Sequence, residues 1–338
     1  MRVVEYTTER TRSIPLTAID GREGAGKSAI VRHVMRAAHG RVTAVVRNLD
    51  RFVANDPDVR RSGPVAVWPS GSMSVETDDP TATLALLARR EEPPDHVLVE
   101  GDGTANTRRL YGYGYMRGYR PDGLITVVDA STAIGRDRTA SVEASWSANL
   151  GHADVIVLNK ADIAGRDGTA AAQRLLESLA PQACFVWCTG GRIAVPLLLG
   201  AAGLRTPQDR MVITTWDPDC RALRGSGPLD LIGEHCRCWS ISSDEPIPGR
   251  EFRRWVSHLP PFILRGTGSV FLREDPQHRH EFSYIGKRSV LDRNMPWGPK
   301  PPSTRLTLVG TDGSRGESAQ LIRQACAHVP ADSTGPSQ

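Results

Sequence analysis

The 338-residue sequence predicts an α/β fold: a P-loop NTPase domain built on a mainly parallel sheet, followed by a smaller α+β domain. Three observations carry this. From about residue 14, short apolar β-branched runs alternate with stretches of helical periodicity. A phosphate-binding pattern, Gly21-x-x-x-x-Gly26-Lys27-Ser28, sits between the first such run and the first helical stretch. Near residue 204 the texture turns polar, with Pro and Gly breakers, before a second set of strands and helices begins.

In order along the chain, "IPLTAI", "VTAVV", "HVLVE", "LITVVDA" and "ADVIVLN" are apolar throughout, as strands buried on both faces must be. Residues 28 to 39 place Ile30, Val31, Val34, Met35 and Ala38 on one helical face, with Gly40 as the stop. Residues 81 to 90 and 168 to 180 have the same helical pattern. These elements define a domain over 13–203, and a linker follows over 204–230. The second domain, 231–327, holds a strand ("HCRCWSIS"), a helix ("GREFRRWVSHL"), strands ("FILRGTGSVFLR", "HEFSYIG", "RLTLVGT") and a last helix ("RGESAQLIRQACA"). The polar tail 328–338 reads as disordered.

Composition narrows the function. A net charge of +4 with scattered basic residues is too weak to argue for a nucleic-acid binder. No apolar run is long enough to span a membrane, and the N-terminal residues lack an apolar signal segment. The six cysteines follow no disulfide-scaffold spacing, so reduced thiols in a cytoplasm are expected. Lysine is scarce: only Lys27, Lys160, Lys287 and Lys300 occur, the rest of the 42 basic residues being arginine. Two of the four lysines fall in nucleotide motifs, where Lys and Arg are not interchangeable.

In the phosphate motif, Gly21, Gly24, Ala25, Gly26 and Ala29 supply the tight turn and the backbone N–H groups at a helix N-terminus. Lys27 reaches the β- and γ-phosphates, and Ser28 offers its hydroxyl to Mg²⁺. The base is indicated by "NKAD" (Asn159, Lys160, Ala161, Asp162) at the end of an apolar strand. Asp162 can accept from the ring N–H and exocyclic amine of guanine, whereas adenine would leave that carboxylate unpaired. Asn159 can bridge base and P-loop, and the stem of Lys160 can cover the purine face. GTP is therefore the expected nucleotide. Polar residues following strands collect where the chemistry of an open α/β sheet occurs. Glu100 takes the place of a Walker B acid, binding Mg²⁺ through water or orienting the attacking water. Asp102 could do either. Asp50 lies where a switch segment would sense the γ-phosphate, or is a solvated loop acid.

Taken together, "IPLTAIDGREGAGKSAI", "HVLVEGDGTA", "RPDGLITVVDASTA", "ADVIVLNKADI", "TGGRIAVPLLLG", "REFRRWVSHLPPFILRGTGSVFL" and "RLTLVGTDGSRGESAQLIRQAC" resemble the CobW family of P-loop GTPases, in that order over most of residues 13–327. The resemblance implies a CobW-type C-terminal domain and a slow GTPase that acts as a metallochaperone or metalloenzyme maturation factor handling zinc, cobalt or iron. In this sequence "SMS" (Ser72, Met73, Ser74) stands where the family's Cys-x-Cys-Cys would lie, and neutral hydroxyls are poor Zn²⁺ ligands. Asn48 matches the family's acidic switch, whose glutamates are here Leu49 and Phe52; the frequent His-rich stretch is absent. Two readings stay open: a chaperone whose Zn or Co site is degenerate or relocated, and a GTP-switched assembly protein that handles no transition metal. A P-loop small-molecule kinase is a third, against which "NKAD" and the C-terminal domain count.

Other clusters have competing readings. His235, Cys236 and Cys238 offer a replacement metal site, but on a strand Cys236 and Cys238 share one face with His235 on the other, as core thiols would. His278 and His280 share a face and could bind metal with a third group, or simply end a strand. Cys184 and Cys188 flank the strand "FVW" as structural thiols. Residues 108–120, with Tyr111, Tyr113, Tyr115 and Tyr119 among glycines and arginines, read first as a loop anchoring a client metalloprotein or assembly partner, together with the C-terminal domain, second as a plain surface loop, and last as a stacking surface for single-stranded nucleic acid.

Overall fold

The computed structural model describes residues 13–37, 42–46, 59–69, 71–101, 103, 107–133, 149–200, 236–299 and 301–311. Asp50, Asp102, Asn48, Leu49, Phe52, Ala38, Gly40, His235, the linker 204–230, the last helix and the tail lie outside them.

Among the described residues the first sheet has nine strands: β1 (Ile14–Gly21), β2 (Val42–Val46), β3 (Arg60–Ser62), β4 (Val65–Val67), β5 (Met73–Glu76), β6 (His96–Glu100), β7 (Tyr119–Asp129), β8 (Val155–Asn159) and β9 (Cys184–Trp187). Their spatial order is β3-β4-β5-β2-β6-β1-β7-β8-β9. From β5 to β9 every pairing is parallel. Among the described residues only the β3-β4-β5 edge is antiparallel. The expected parallel sheet is thus present, extended by a short edge hairpin whose three-residue strands are too brief to show periodicity. Both faces of β1, β6 and β8 are buried, which is why these segments are largely apolar, the polar exceptions Thr17, Asp20, His96 and Asn159 being buried as well.

The helices among the described residues are α1 (Lys27–Ala37), α2 (Pro80–Ala88), α3 (Thr107–Gly112), α4 (Ala161–Leu179), α5 (Val195–Leu199) and α6 (Gly249–Ser257). Ile30, Val31, Val34 and Met35 of α1 are buried as expected. Asp79 caps α2, its carboxylate accepting from the Ala82 N–H at 3.1 Å. Helix α4 begins seven residues ahead of its periodic stretch and kinks at Gly165, whose φ is 68°.

The second sheet is antiparallel, in the order β10-β14-β11-β12-β13, with β10 (Cys236–Ser243), β11 (Ile263–Val270), β12 (His278–Ile285), β13 (Arg288–Pro296) and β14 (Thr304–Thr311). Phe252, Trp255 and Val256 of α6 close its core against Phe282 and Leu308. Strand β13 has no counterpart among the expected elements, because Asp292, Arg293 and Asn294 interrupt its apolar run. Strand β13 lies at the edge of the sheet. The two-residue turn Gly286-Lys287 joins it to β12, with Gly286 at φ 59° as such a turn requires.

The tyrosine-rich segment departs from the expectation of a partner-binding loop. It forms α3, a 3-10 turn (Tyr113–Tyr115) and the start of β7. Tyr119 is buried and donates its hydroxyl to the Leu84 carbonyl at 2.7 Å. Tyr113 is buried, and the Arg288 guanidinium lies 5.0 Å over the Tyr111 ring. Tyr115 is the one exposed tyrosine of the four, at 45%.

Candidate nucleotide site

Parallel strands place their carboxyl ends together, and here those ends are Gly21, Glu100, Asp129 and Asn159. Register makes the grouping tight: Ile19 pairs with Glu100, Gly21 with Val127 and Asp129 with Asn159. The turn after β1 is the phosphate motif, and α1 starts at its lysine.

Within that turn Gly24 and Gly26 have φ of 79° and 102°, conformations that side chains resist. A Cβ on Gly26 would also strike the Asn159 amide. Lys27 is buried, and its ammonium donates to the loop's own carbonyls, Gly21 at 2.5 Å and Arg22 at 3.0 Å. Ser28 donates its hydroxyl to Glu100 Oε1 at 2.7 Å. The structure therefore brings Lys27 and Ser28 of α1 together with Glu100 of β6. Burial pushes the Glu100 carboxyl above its usual range, against the Ser28 bond and the charge of Lys27. Its second oxygen, Oε2, is buried and accepts no hydrogen bond. A hydroxyl beside a carboxylate with a spare oxygen is a hard-oxygen donor set of the kind Mg²⁺ takes, so these residues fit that ion.

The base end is built on β8. Asn159 is buried, but its amide spans two backbone segments: Nδ2 donates to the Ala25 carbonyl at 2.9 Å, and Oδ1 accepts from the Gly191 N–H at 3.1 Å. It ties the P-loop to the turn after β9 instead of simply facing a base. Gly191 was not among the expected site residues. Its φ is 73°, and a Cβ there would lie 2.8 Å from Ala29 Cβ, so the close approach to α1 needs glycine. The "TGG" following a strand was the only available signal. Lys160 adopts a left-handed conformation and donates to Asp129 Oδ2 at 2.6 Å. Asp162 is exposed in the first turn of α4.

The metal candidates are placed differently. Ser72 and Ser74 are wholly buried, with Met73 between them at the start of β5. His278 Nδ1 and His280 Nε2 each donate to one oxygen of Asp275, at 2.7 and 3.2 Å. Among the described residues no group of three or more His, Cys, Asp or Glu is placed to hold a metal ion. Cys188 is buried and its thiol donates to the Arg192 carbonyl at 3.2 Å, and burial pushes the Cys184 thiol up. Among the described residues no helix is long and apolar enough to cross a membrane.

A P-loop between β1 and α1, a guanine-type motif on β8 and an appended antiparallel domain define a nucleotide-binding protein of the P-loop class. Residues 15–186 match the family described as CobW/HypB/UreG, nucleotide-binding domain, and residues 236–326 match the cobalamin synthesis protein cobW C-terminal domain. The chain belongs to the CobW/HypB/UreG family. A zinc chaperone CobW of Sinorhizobium sp is 28% identical over 238 residues, spanning 60% of this chain and 67% of the relative. The zinc chaperone YjiA of Escherichia coli strain K12 is 25% identical over 318 residues, 88% and 94% of the two chains. The solved Zn(II)-bound YjiA GTPase from E. coli is 21% identical and superposes with a TM-score of 0.43, covering 95% of this chain and all of that one.

Proposed function

We propose that this protein is a slow GTPase of the CobW type, acting as a metallochaperone or metalloenzyme maturation factor in which GTP and Mg²⁺ switch a cargo or client surface. The observation that carries the reading is the junction of Ser28 with Glu100 at 2.7 Å beside the Lys27 ammonium, at the ends of β1 and β6. Gly21, Gly24, Ala25, Gly26 and Ala29 would hold the phosphates through backbone N–H groups, and Lys27 would leave its carbonyl partners for the β- and γ-phosphate oxygens. Ser28 and Glu100 would hold Mg²⁺, Glu100 through water. The ion would neutralise charge on the phosphates. Asp102 and Asp50 are proposed as further acids of the hydrolytic step, and Asp162 as the carboxylate that selects guanine. The proposed working units are the nucleotide domain 13–203 and the C-terminal domain 231–327, joined by 204–230, in a cytoplasmic protein.

The two curated relatives named as zinc chaperones support zinc as the cargo. A second reading, a GTP-switched assembly protein without a transition metal, is favoured by Ser72 and Ser74, whose neutral hydroxyls are wholly buried. One experiment separates them. Zn²⁺ and Co²⁺ affinity is measured with and without a non-hydrolysable GTP analogue, alongside GTP turnover. Tight stoichiometric metal binding that strengthens with the analogue supports the chaperone; GTP turnover with no binding beyond Mg²⁺ supports the assembly protein. Phosphate transfer from GTP to a small acceptor would overturn both.

A further inference from the structure

The ion pair between Asp129 and Lys160 is built with more care than a surface pair. Asp129 ends β7 opposite Asn159 at the end of β8, and the Ala130 N–H donates to the Asn159 carbonyl at 2.9 Å, so the two strand ends are locked. One Asp129 oxygen accepts from the Ser131 N–H at 2.9 Å and the Ser131 hydroxyl at 2.6 Å; the other accepts from Lys160 Nζ at 2.6 Å. The carboxylate is 14% exposed. Burial alone would raise its pKa, yet the Lys160 and Ser131 bonds hold it below its usual range. Lys160 is the one non-glycine residue with positive φ among the described residues, at φ 60° and ψ 35°. A side chain in that region persists only where its surroundings hold it there. The chain also keeps lysine here while using arginine almost everywhere else. A flexible four-carbon stem ending in a compact charge can lie along a flat surface with its tip held, whereas the planar guanidinium would bring its own stacking plane.

We propose that Asp129 is the positioning residue of the guanine site. It holds the Lys160 ammonium at the strand ends, so that the Lys160 stem forms one wall of the base pocket beside Asp162. This deepens the guanine-nucleotide reading and rests on it.

The test is a double-mutant cycle on GDP affinity, with Asp129→Asn, Lys160→Met and the double variant, each checked by its melting curve. Asp129→Asn keeps the shape and removes the charge; Lys160→Met keeps the stem's bulk and removes the ammonium. The expected result is that Asp129→Asn weakens GDP binding about fivefold, the scale of a partly exposed charge pair, and adds nothing on the Lys160→Met background. Losses that add in the double variant, or no loss from Asp129→Asn, overturn the proposal. Should Asp129→Asn not fold, Asp129→Glu completes the same cycle. Asp162→Asn assayed with GDP and xanthosine diphosphate separates the underlying reading. No shift of preference toward xanthine overturns the guanine reading, and a shift alongside an additive cycle overturns the Asp129 proposal alone.

Discussion

His96 shows how one buried residue sets a pH limit. Thr17 donates its hydroxyl to Asp122 at 3.1 Å, so at 2.9 Å His96 Nε2 must donate to Thr17 in turn; Nδ1 is buried and unbonded. The bonding chain thus assigns a neutral imidazole protonated at Nε2. Burial holds its pKa down at about 4, against the pull of Asp122, while Arg265 and Arg120 hold Asp122 at about 2 despite its burial. The unfolded chain takes up the His96 proton from about pH 6.5 downward, but the folded chain does not until about pH 4. Stability should therefore fall by about 3 kcal/mol across that window. Urea midpoints against pH should show this slope in the wild type and lose it in His96→Gln. At Glu100 the raised pKa means that Mg²⁺ must compete with a proton. Affinity for Mg²⁺ with GDP should rise with pH above the ordinary carboxylate range. Glu100→Gln should flatten that dependence and cost roughly tenfold in affinity, read by calorimetric Mg²⁺ titration at several pH values.

At the scale of elements, the turn after β9 is tied to the P-loop. Asn159 joins the two, and the Ala161 N–H donates to the Cys188 carbonyl at 3.1 Å, tying the start of α4 to the same turn. Gly191→Ala forces a side chain into the left-handed region and against α1. It should destabilise the protein by about 1–2 kcal/mol and weaken GDP binding, because the Asn159 tie loosens at both ends. Thermal melts and GDP affinity on one preparation would check both effects; an unchanged affinity would remove Gly191 from the site. The tyrosine segment has the opposite history. Its composition suggested a partner surface, but burial against α2 and Arg288 uses most of its aromatic area inside the molecule.

For the whole molecule, the decisive contacts lie at the amino ends of the parallel strands, away from the nucleotide site. Arg265 of β11 is fully buried; it pairs with the Asp122 carboxylate and donates to the Asp122 carbonyl at 3.2 Å. Arg288 of β13 grips both oxygens of Asp154, at 2.9 and 2.8 Å. Apolar residues of both sheets, including Val155, Leu264, Ile285 and Val309, join one core with α5. A buried pair is a weak source of net stability, but removing one partner strands the other charge. Arg265→Ala should cost about 3 kcal/mol or more and separate the unfolding of the two sheets into two transitions by calorimetry. Arg265→Met with Asp122→Asn should regain much of that loss and restore a single transition.

The sequence by itself determined what is local and periodic. Strands buried on both faces are mostly apolar, a P-loop needs glycines and Lys-Ser at set intervals, and the guanine-type motif follows directly on an apolar strand. Those constraints made β1, β6, β8, α1, Lys27, Ser28 and Asn159 legible, and Glu100 as well, because it follows directly on an apolar run. Only the tertiary structure decided what depends on distant segments meeting. Asp122 looks like an ordinary acid until β11 brings Arg265 to it, and Gly191 like any loop glycine until it meets Ala29. Asp129 and Lys160 stand 31 positions apart and become partners only because β7 and β8 are neighbours in register. A side chain's chemistry can be read from its type, but its charge state and role follow from partners that the linear order does not place beside it.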